Sequence, residues 1–142
     1  MAFDFDLAEF IPFRDKDACA RVRAVRRVDI CNHPNPDFRI GVIDDADEFF
    51  LAFALDMVQR IQAAAEEGRD WVVILPCGPM AQYDRAVEII NRLRVPMGHV
   101  HTFNMDEFAD QDGNSAPGDW PGSFQHAMWR RFFSRIDAEL RP

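Results

Sequence analysis

The chain has 142 residues, 48% of them hydrophobic, a size and composition that suit one domain with a buried core. A formal net charge of −8 repels phosphate backbones, and the one basic cluster, Arg21, Arg23, Arg26 and Arg27, has no aromatic residues interleaved with it, so nucleic acid is excluded as a partner. No apolar run approaches bilayer length, the start Met1 to Asp6 is acidic where an export signal would be basic, and Cys19, Cys31 and Cys77 lack CxxC spacing, so the expectation is a soluble cytoplasmic protein without membrane, disulfide framework or zinc site.

Residues 1–36 read as an N-terminal extension. Phe3, Phe5, Leu7, Phe10, Ile11 and Phe13 form an apolar patch with no helical period. Asp17 to Val28 is expected to form one short helix with Ala18, Val22 and Val25 on one side. Its arginines stay in water while it packs over the core; the sharper alternative is a basic patch for a phosphorylated ligand or a neighbouring subunit. His33-Pro34-Asn35-Pro36 closes the segment, because prolines so close together stop regular structure.

Residues 37–142 carry a regular pattern, the first part of an α/β domain. Phe38 to Ile43 reads as a strand, and Asp45 followed by Glu48 is a capping-box arrangement opening a helix. Phe49, Phe53, Met57 and Ile61 recur every four residues, widened by Phe50, Ala54, Val58 and Ala65, until Gly68 stops the helix. Trp71-Val72-Val73-Ile74-Leu75 is a continuous apolar run, expected of a strand covered on both faces, and it breaks at Pro76-Cys77-Gly78-Pro79. A second helix follows with Tyr83, Ala86, Val87, Ile90 and Leu93 inward. Val95-Pro96 and Gly98 then return the chain to a strand at His99 to Asn104. Strand, helix, strand, helix, strand implies a parallel sheet.

The last strand ends in acid: Val100-His101-Thr102-Phe103-Asn104-Met105-Asp106-Glu107-Phe108. Ligands bind at the carboxyl edge of open α/β sheets, and a carboxylate fixed there can accept a proton from a bound small molecule. Asp106 is therefore the first candidate for chemistry. The loop from Ala109 to Gly122, rich in Asp, Gly, Pro, Asn and Ser, is expected to be either a lid or disordered. Its Asp110-Gln111-Asp112-Gly113-Asn114 is no calcium loop, since the glycine is misplaced and Pro121 stands where the closing glutamate belongs. Ser123 can cap a last helix with Phe124, Met128, Phe132 and Ile136 in one stripe and Trp129 and Phe133 alongside.

Leu75-Pro76-Cys77-Gly78, Thr102-Phe103-Asn104-Met105-Asp106-Glu107-Phe108, Ser123-Phe124 and Met128-Trp129-Arg130-Arg131-Phe132-Phe133 together resemble the glucosamine-6-phosphate deaminase (isomerase) family, in the same order and with similar spacing from about Phe38 onward. The resemblance covers the family's N-terminal half. It implies a Rossmann-like parallel sheet with flanking helices, of the glucosamine-6-phosphate deaminase and ribose-5-phosphate isomerase kind, incomplete at its C-terminal end. It further implies conversion of an amino-sugar phosphate to a keto-sugar phosphate with release of ammonia, without metal or redox cofactor. Asp106 matches the family's base and Glu107 its neighbour, both in catalytic positions, while Cys77, Gly78, Pro79 and Asn104 match the substrate-binding positions. A phosphorylated sugar is the implied partner, with a homo-oligomer or a complementing C-terminal half as the implied assembly.

The departures are specific. The family's Gly-Gly-Ser/Thr-Thr-Pro phosphate loop is shortened here to Cys77-Gly78-Pro79-Met80 without a hydroxyl, and none of His33, His99, His101 or His126 lies in the family's ring-opening Asp-Gly-His motif. Cys77 is read as a small turn residue beside the site, with a reactive thiolate as the alternative. His101 is expected to be a packed, hydrogen-bonded strand histidine, and His126 either faces the site or is solvated. Three other classes stay open: a 6-phosphogluconolactonase-like hydrolase, weakened by Phe108 where arginine usually follows Asp-Glu; a non-catalytic sugar-phosphate sensor; and a structural half.

Overall fold

In the computed structural model residues 15–142 are described, so the expected patch from Phe3 to Phe13 and the acidic start at Met1 lie outside the described residues. The chain divides into two units at Val42/Ile43.

In the first unit, helix α1 spans Lys16–Arg23 and begins where the Asp15 carboxylate accepts the Ala18 N–H at 2.8 Å. Asp17 in the first turn and Arg21 and Arg23 in the last suit the helix dipole. The helix is shorter than the expected one: it stops at Arg23, and a 3₁₀ turn follows at Arg27–Asp29, tied by Arg26 to Asp29 at 2.7 Å. None of its residues is buried, and Val22, Val25 and Val28 are exposed. Phe38 to Ile43, expected as a strand, is irregular. The backbone at its start bonds locally, Phe38 N–H to the Asn35 carbonyl and Asp37 N–H to the Asn35 side chain, and no strand among the described residues pairs with it.

The second unit opens with helix α2, Ala46–Glu66, whose first turn is capped by the Asp45 carboxylate accepting from Glu48 N–H at 2.9 Å. Ala54, Met57, Val58, Ile61 and Ala64 are buried. Ala64 replaces the expected Ala65, and Phe49 is exposed, because a stripe of period 3.6 advances by seven residues, from Met57 to Ala64, over two turns. Gly68 ends the helix in the left-handed region, φ 65°, with Gly68 N–H on the Ala65 carbonyl and Arg69 N–H on that of Ala64, a Schellman pair.

Strand β1, Trp71–Leu75, is followed by helix α3, Ala81–Leu93, and strand β2, Val100–Asn104. The strands are parallel, with Trp71 opposite Val100 and Leu75 opposite Asn104, in a two-stranded sheet. Helix α3 buries Tyr83, Ala86, Val87 and Ile90 as expected, with Gln82 in place of Leu93, which is exposed past the last buried turn. The α2 and α3 faces, Leu75 and Val100, and Met128, Phe132, Ile136 and Leu140 share one core. Helix α4, Phe124–Arg131, ends before Phe132, and a 3₁₀ turn at Phe133–Arg135 carries the remainder of the stripe.

The expectation that the strands are covered on both faces is corrected: Val72, Ile74, Phe103 and Met105 are 61–63% exposed. Every helix of this unit contributes its buried face to the same core, which leaves the second sheet face bare among the described residues. The last segment is docked on the end of α3. Arg94, itself left-handed at φ 55°, pairs with Asp137 and Glu139, Asn91 donates to the Arg135 carbonyl at 2.9 Å, and Met97 N–H reaches the Leu140 carbonyl at 2.9 Å.

Candidate active site

Parallel register brings two turns out at one end of the sheet. With Leu75 opposite Asn104, residues 76–79 and 105–108 emerge side by side, and Met105 N–H on the Leu75 carbonyl at 3.0 Å carries the ladder one residue past β2. Asp106 follows at once. It is exposed and has no hydrogen bond or ion pair among the described residues.

Glu107 is held in place. One of its oxygens accepts Phe108 N–H at 2.9 Å and Phe124 N–H at 3.1 Å, and the other accepts Gln125 N–H at 2.9 Å. Ser123 takes the next helix donor, His126 N–H, at 2.9 Å, so the opening amides of α4 are all supplied with acceptors. Burial pushes the Glu107 carboxyl up, and the backbone donors Gln125, Phe124 and Phe108 outweigh it, leaving the group below its ordinary value.

Cys77 closes the arrangement from β1. Its thiol donates to the Phe124 carbonyl at 3.2 Å, so both strand ends meet the first residue of α4. Burial, then the charges of Glu107 and Asp106, push the thiol up, in keeping with the reading of Cys77 as a small turn residue beside the site. Those two charges act on Cys77 because the three residues are neighbours. Gly78 and Pro79 are exposed at the entry to α3, where no side chain caps the first turn, Tyr83 N–H bonds to the Met80 carbonyl at 3.1 Å, and the Ala81 and Gln82 N–H groups have no intrahelical acceptor. Beneath this turn Tyr83 donates to the Pro76 carbonyl at 2.7 Å, and burial first, then the Cys77 charge, pushes its hydroxyl up to about 12.

A cleft of about 480 Å³ lies beside the free edge of β2, lined by Thr102, Asn104, Glu107, Ser115, Gln125 and Trp129 among others. Of the expected site residues, Glu107 and Asn104 line it, while Asp106, Cys77, Gly78 and Pro79 stand outside it. The loop from Ala109 to Gly122, expected as a lid or disordered, is a folded turn. Ala109 and Ser115 bridge antiparallel, the Asp110 carboxylate accepts the Asp112 and Asn114 N–H groups at 2.9 Å, and the Phe108 ring meets Trp120 edge-on and lies tilted against Phe124. At Gly118 a Cβ would meet the end of the Gln125 side chain at 2.5 Å, which would have to swing aside.

His101, expected to be packed and hydrogen-bonded, is exposed on the bare sheet face, 3.7 Å from Asp70. The packed histidine is His99, whose Nε2 lies 2.8 Å from the Ile61 carbonyl. His126 is half-buried in the first turn of α4. Sequence reasoning missed Gln125, Ser115 and the Phe124 backbone. Ser123, legible as a helix cap and with Phe124 part of the resemblance, and His126, expected to face the site or be solvated, pointed towards that turn.

Parallel strands joined by a crossover helix, ending in an acidic turn beside a helix N-terminus, define a Rossmann-like α/β protein. No protein-family profile matches the chain. Curated relatives do: it is 37% identical over 84 residues to a glucosamine-6-phosphate deaminase of Proteus mirabilis (strain HI4320), covering 57% of this chain and 30% of that protein. It is 33% identical over 101 residues to the Caenorhabditis elegans protein of the same name, covering 70% and 36%. Among solved structures, a monomeric glucosamine-6-phosphate deaminase described as a missing link of the NagB superfamily superposes with a TM-score of 0.57 at 24% identity, over 67% of this chain and 36% of that one. The chain is similar to part of these glucosamine-6-phosphate deaminases and spans about a third of the length of the curated relatives it matches.

Proposed function

We propose that this chain supplies the base-bearing part of a glucosamine-6-phosphate deaminase/isomerase-like enzyme, acting on a phosphorylated amino sugar. One observation carries the reading: the unpaired Asp106 carboxylate at the carboxyl end of β2, within Phe103-Asn104-Met105-Asp106-Glu107-Phe108, beside the uncapped first turn of α3. Asp106 takes the hydrogen from carbon 2 of the open-chain sugar and returns it to carbon 1. The amine is left as an imine, which water hydrolyses to the ketone and ammonia, the hydrolytic step of the reaction. Donors around the developing negative charge lower the barrier, and Asn104 is the side chain nearest in sequence able to provide one. The phosphate suits the free N–H groups at the start of α3, with Cys77, Gly78 and Pro79 as its surroundings.

The assembly follows from the sheet. Among the described residues β2 pairs on one side only, and along its free edge the cleft continues into a second cavity of about 450 Å³ that shares Thr102, Phe103, Trp129 and Phe133 with it. An open strand edge backed by aromatic walls supports further polypeptide pairing there, a complementing half or a second copy. A cytoplasmic setting fits the proposed substrate, and no described helix is long and apolar enough to cross a membrane.

A sensor that binds a sugar phosphate without turnover would account for one observation, that none of His33, His99, His101 or His126 lies in an Asp-Gly-His ring-opening motif. An ammonia-release assay on glucosamine 6-phosphate separates the readings. Turnover that falls at least about 10²-fold in Asp106→Asn supports the enzyme. Saturable binding of the sugar phosphate with no ammonia released supports the sensor.

A further inference from the structure

We infer that Glu107 is a positioning residue, which ties the acidic end of β2 to the first turn of α4 and thereby fixes its neighbour Asp106, and that it passes no proton. The inference rests on the proposed role of Asp106, although the tie itself does not. A proton relay needs an oxygen lone pair open to the substrate or to the base. Three of the four acceptor positions of the Glu107 carboxylate instead take backbone donors, from Phe108 and Phe124 on one oxygen and from Gln125 on the other, so the group is committed to holding the turn. All three bonds are strengthened by the ionised acceptor, and a proton on the oxygen facing Gln125 would set a hydroxyl against its amide N–H.

The donors belong to residues 17 and 18 positions along the chain, so the bonds join separate elements, and Phe108 N–H closes the carboxylate onto its own turn. Ser123 holds the His126 amide and Cys77 the Phe124 carbonyl, which leaves the first turn of α4 tied to β2 through Glu107 and to the β1 turn through Cys77. Phe108 adds an apolar part, its ring 4.8 Å from that of Phe124. Asp106 lies between Met105, still on the ladder, and Glu107, so its backbone is fixed on both sides while its carboxylate stays unpaired.

The test uses the full chain with Glu107→Gln, which keeps one acceptor oxygen, and Glu107→Ala, which keeps none. Amide hydrogen exchange read residue by residue is expected to show Phe124 and Gln125 exchanging at least tenfold faster in Glu107→Ala, with Glu107→Gln in between. Unchanged protection of both amides in Glu107→Ala would overturn the tie. In the ammonia assay on glucosamine 6-phosphate, at a temperature where Glu107→Gln is folded, kcat is expected to fall about tenfold with both limbs of its pH profile retained. A kcat equal to that of the unsubstituted chain would make Glu107 merely structural, and loss of one limb would make it a relay; either result refutes positioning. If the unsubstituted chain releases no ammonia, that failure belongs to the catalytic reading. Positioning is then read from the Asp106 carboxyl carbon resonance, which shifts in Glu107→Gln if the tie holds Asp106 and stays unmoved if it does not.

Discussion

The same two strands present two different surfaces. On one side Leu75 and Val100 sink into a core built from α2, α3 and the segment around Phe132, each 1–3% exposed. On the other, Val72, Ile74, Phe103 and Met105 stand 61–63% exposed in a row with His101. Parallel sheets are ordinarily covered on both faces, whereas among the described residues this one is covered on a single face, and the packed side carries the stability of the unit. Mutations on the two faces therefore ought to have different kinds of consequence.

The largest stability effect is expected on the packed side. Phe132→Ala removes a ring that stacks on Tyr83 and Phe133, and should cost about 3–5 kcal/mol in denaturant unfolding. On the bare side Ile74→Lys should change stability by no more than about 0.5 kcal/mol in the same measurement. It should nevertheless reduce any self-association or capture of a second polypeptide seen by light scattering. If Ile74→Lys were as destabilising as Phe132→Ala, the face would be buried in the protein in solution and the contrast would fail.

Smaller effects sharpen the contrast at the turns. Gly68→Ala places a side chain in the left-handed region and should cost about 1–2 kcal/mol, checked by thermal unfolding, whereas Gly98→Ala meets nothing within 4 Å and should be near neutral. Glu107 adds a pH dependence whose sign is fixed by its lowered folded-state value. Its stabilising contribution is complete above the ordinary carboxylate range and is lost as pH falls through the lower folded value. Melting temperatures of the unsubstituted chain and Glu107→Gln should thus differ at neutral pH and converge in acid. A constant gap across that range would contradict the three backbone bonds.

What could be read from the residues was local. The Asp45 cap, the Gly68 stop, the Trp71–Leu75 run and the Ser123 cap are settled by neighbours within four residues, and the elements begin and end there. Phe38 to Ile43 has the same apolar character as β1 and forms no strand, because pairing depends on a distant partner that composition does not reveal. The apolar run at β1 announced burial without saying what would provide it, and the cover is one-sided. Asp106 was legible as an acid at a strand end. The difference between it and Glu107 was not, since the donors that occupy Glu107 are backbone amides on α4, and any residue type other than proline would have supplied them.

The most direct measurement is ammonia release from glucosamine 6-phosphate by the full chain, supplied with a complementing polypeptide if one is found, compared with Asp106→Asn under the same conditions. Turnover by the unsubstituted chain with a loss of at least about 10²-fold in the variant is the predicted result. Equal turnover by the two would contradict the assignment of Asp106 as the base.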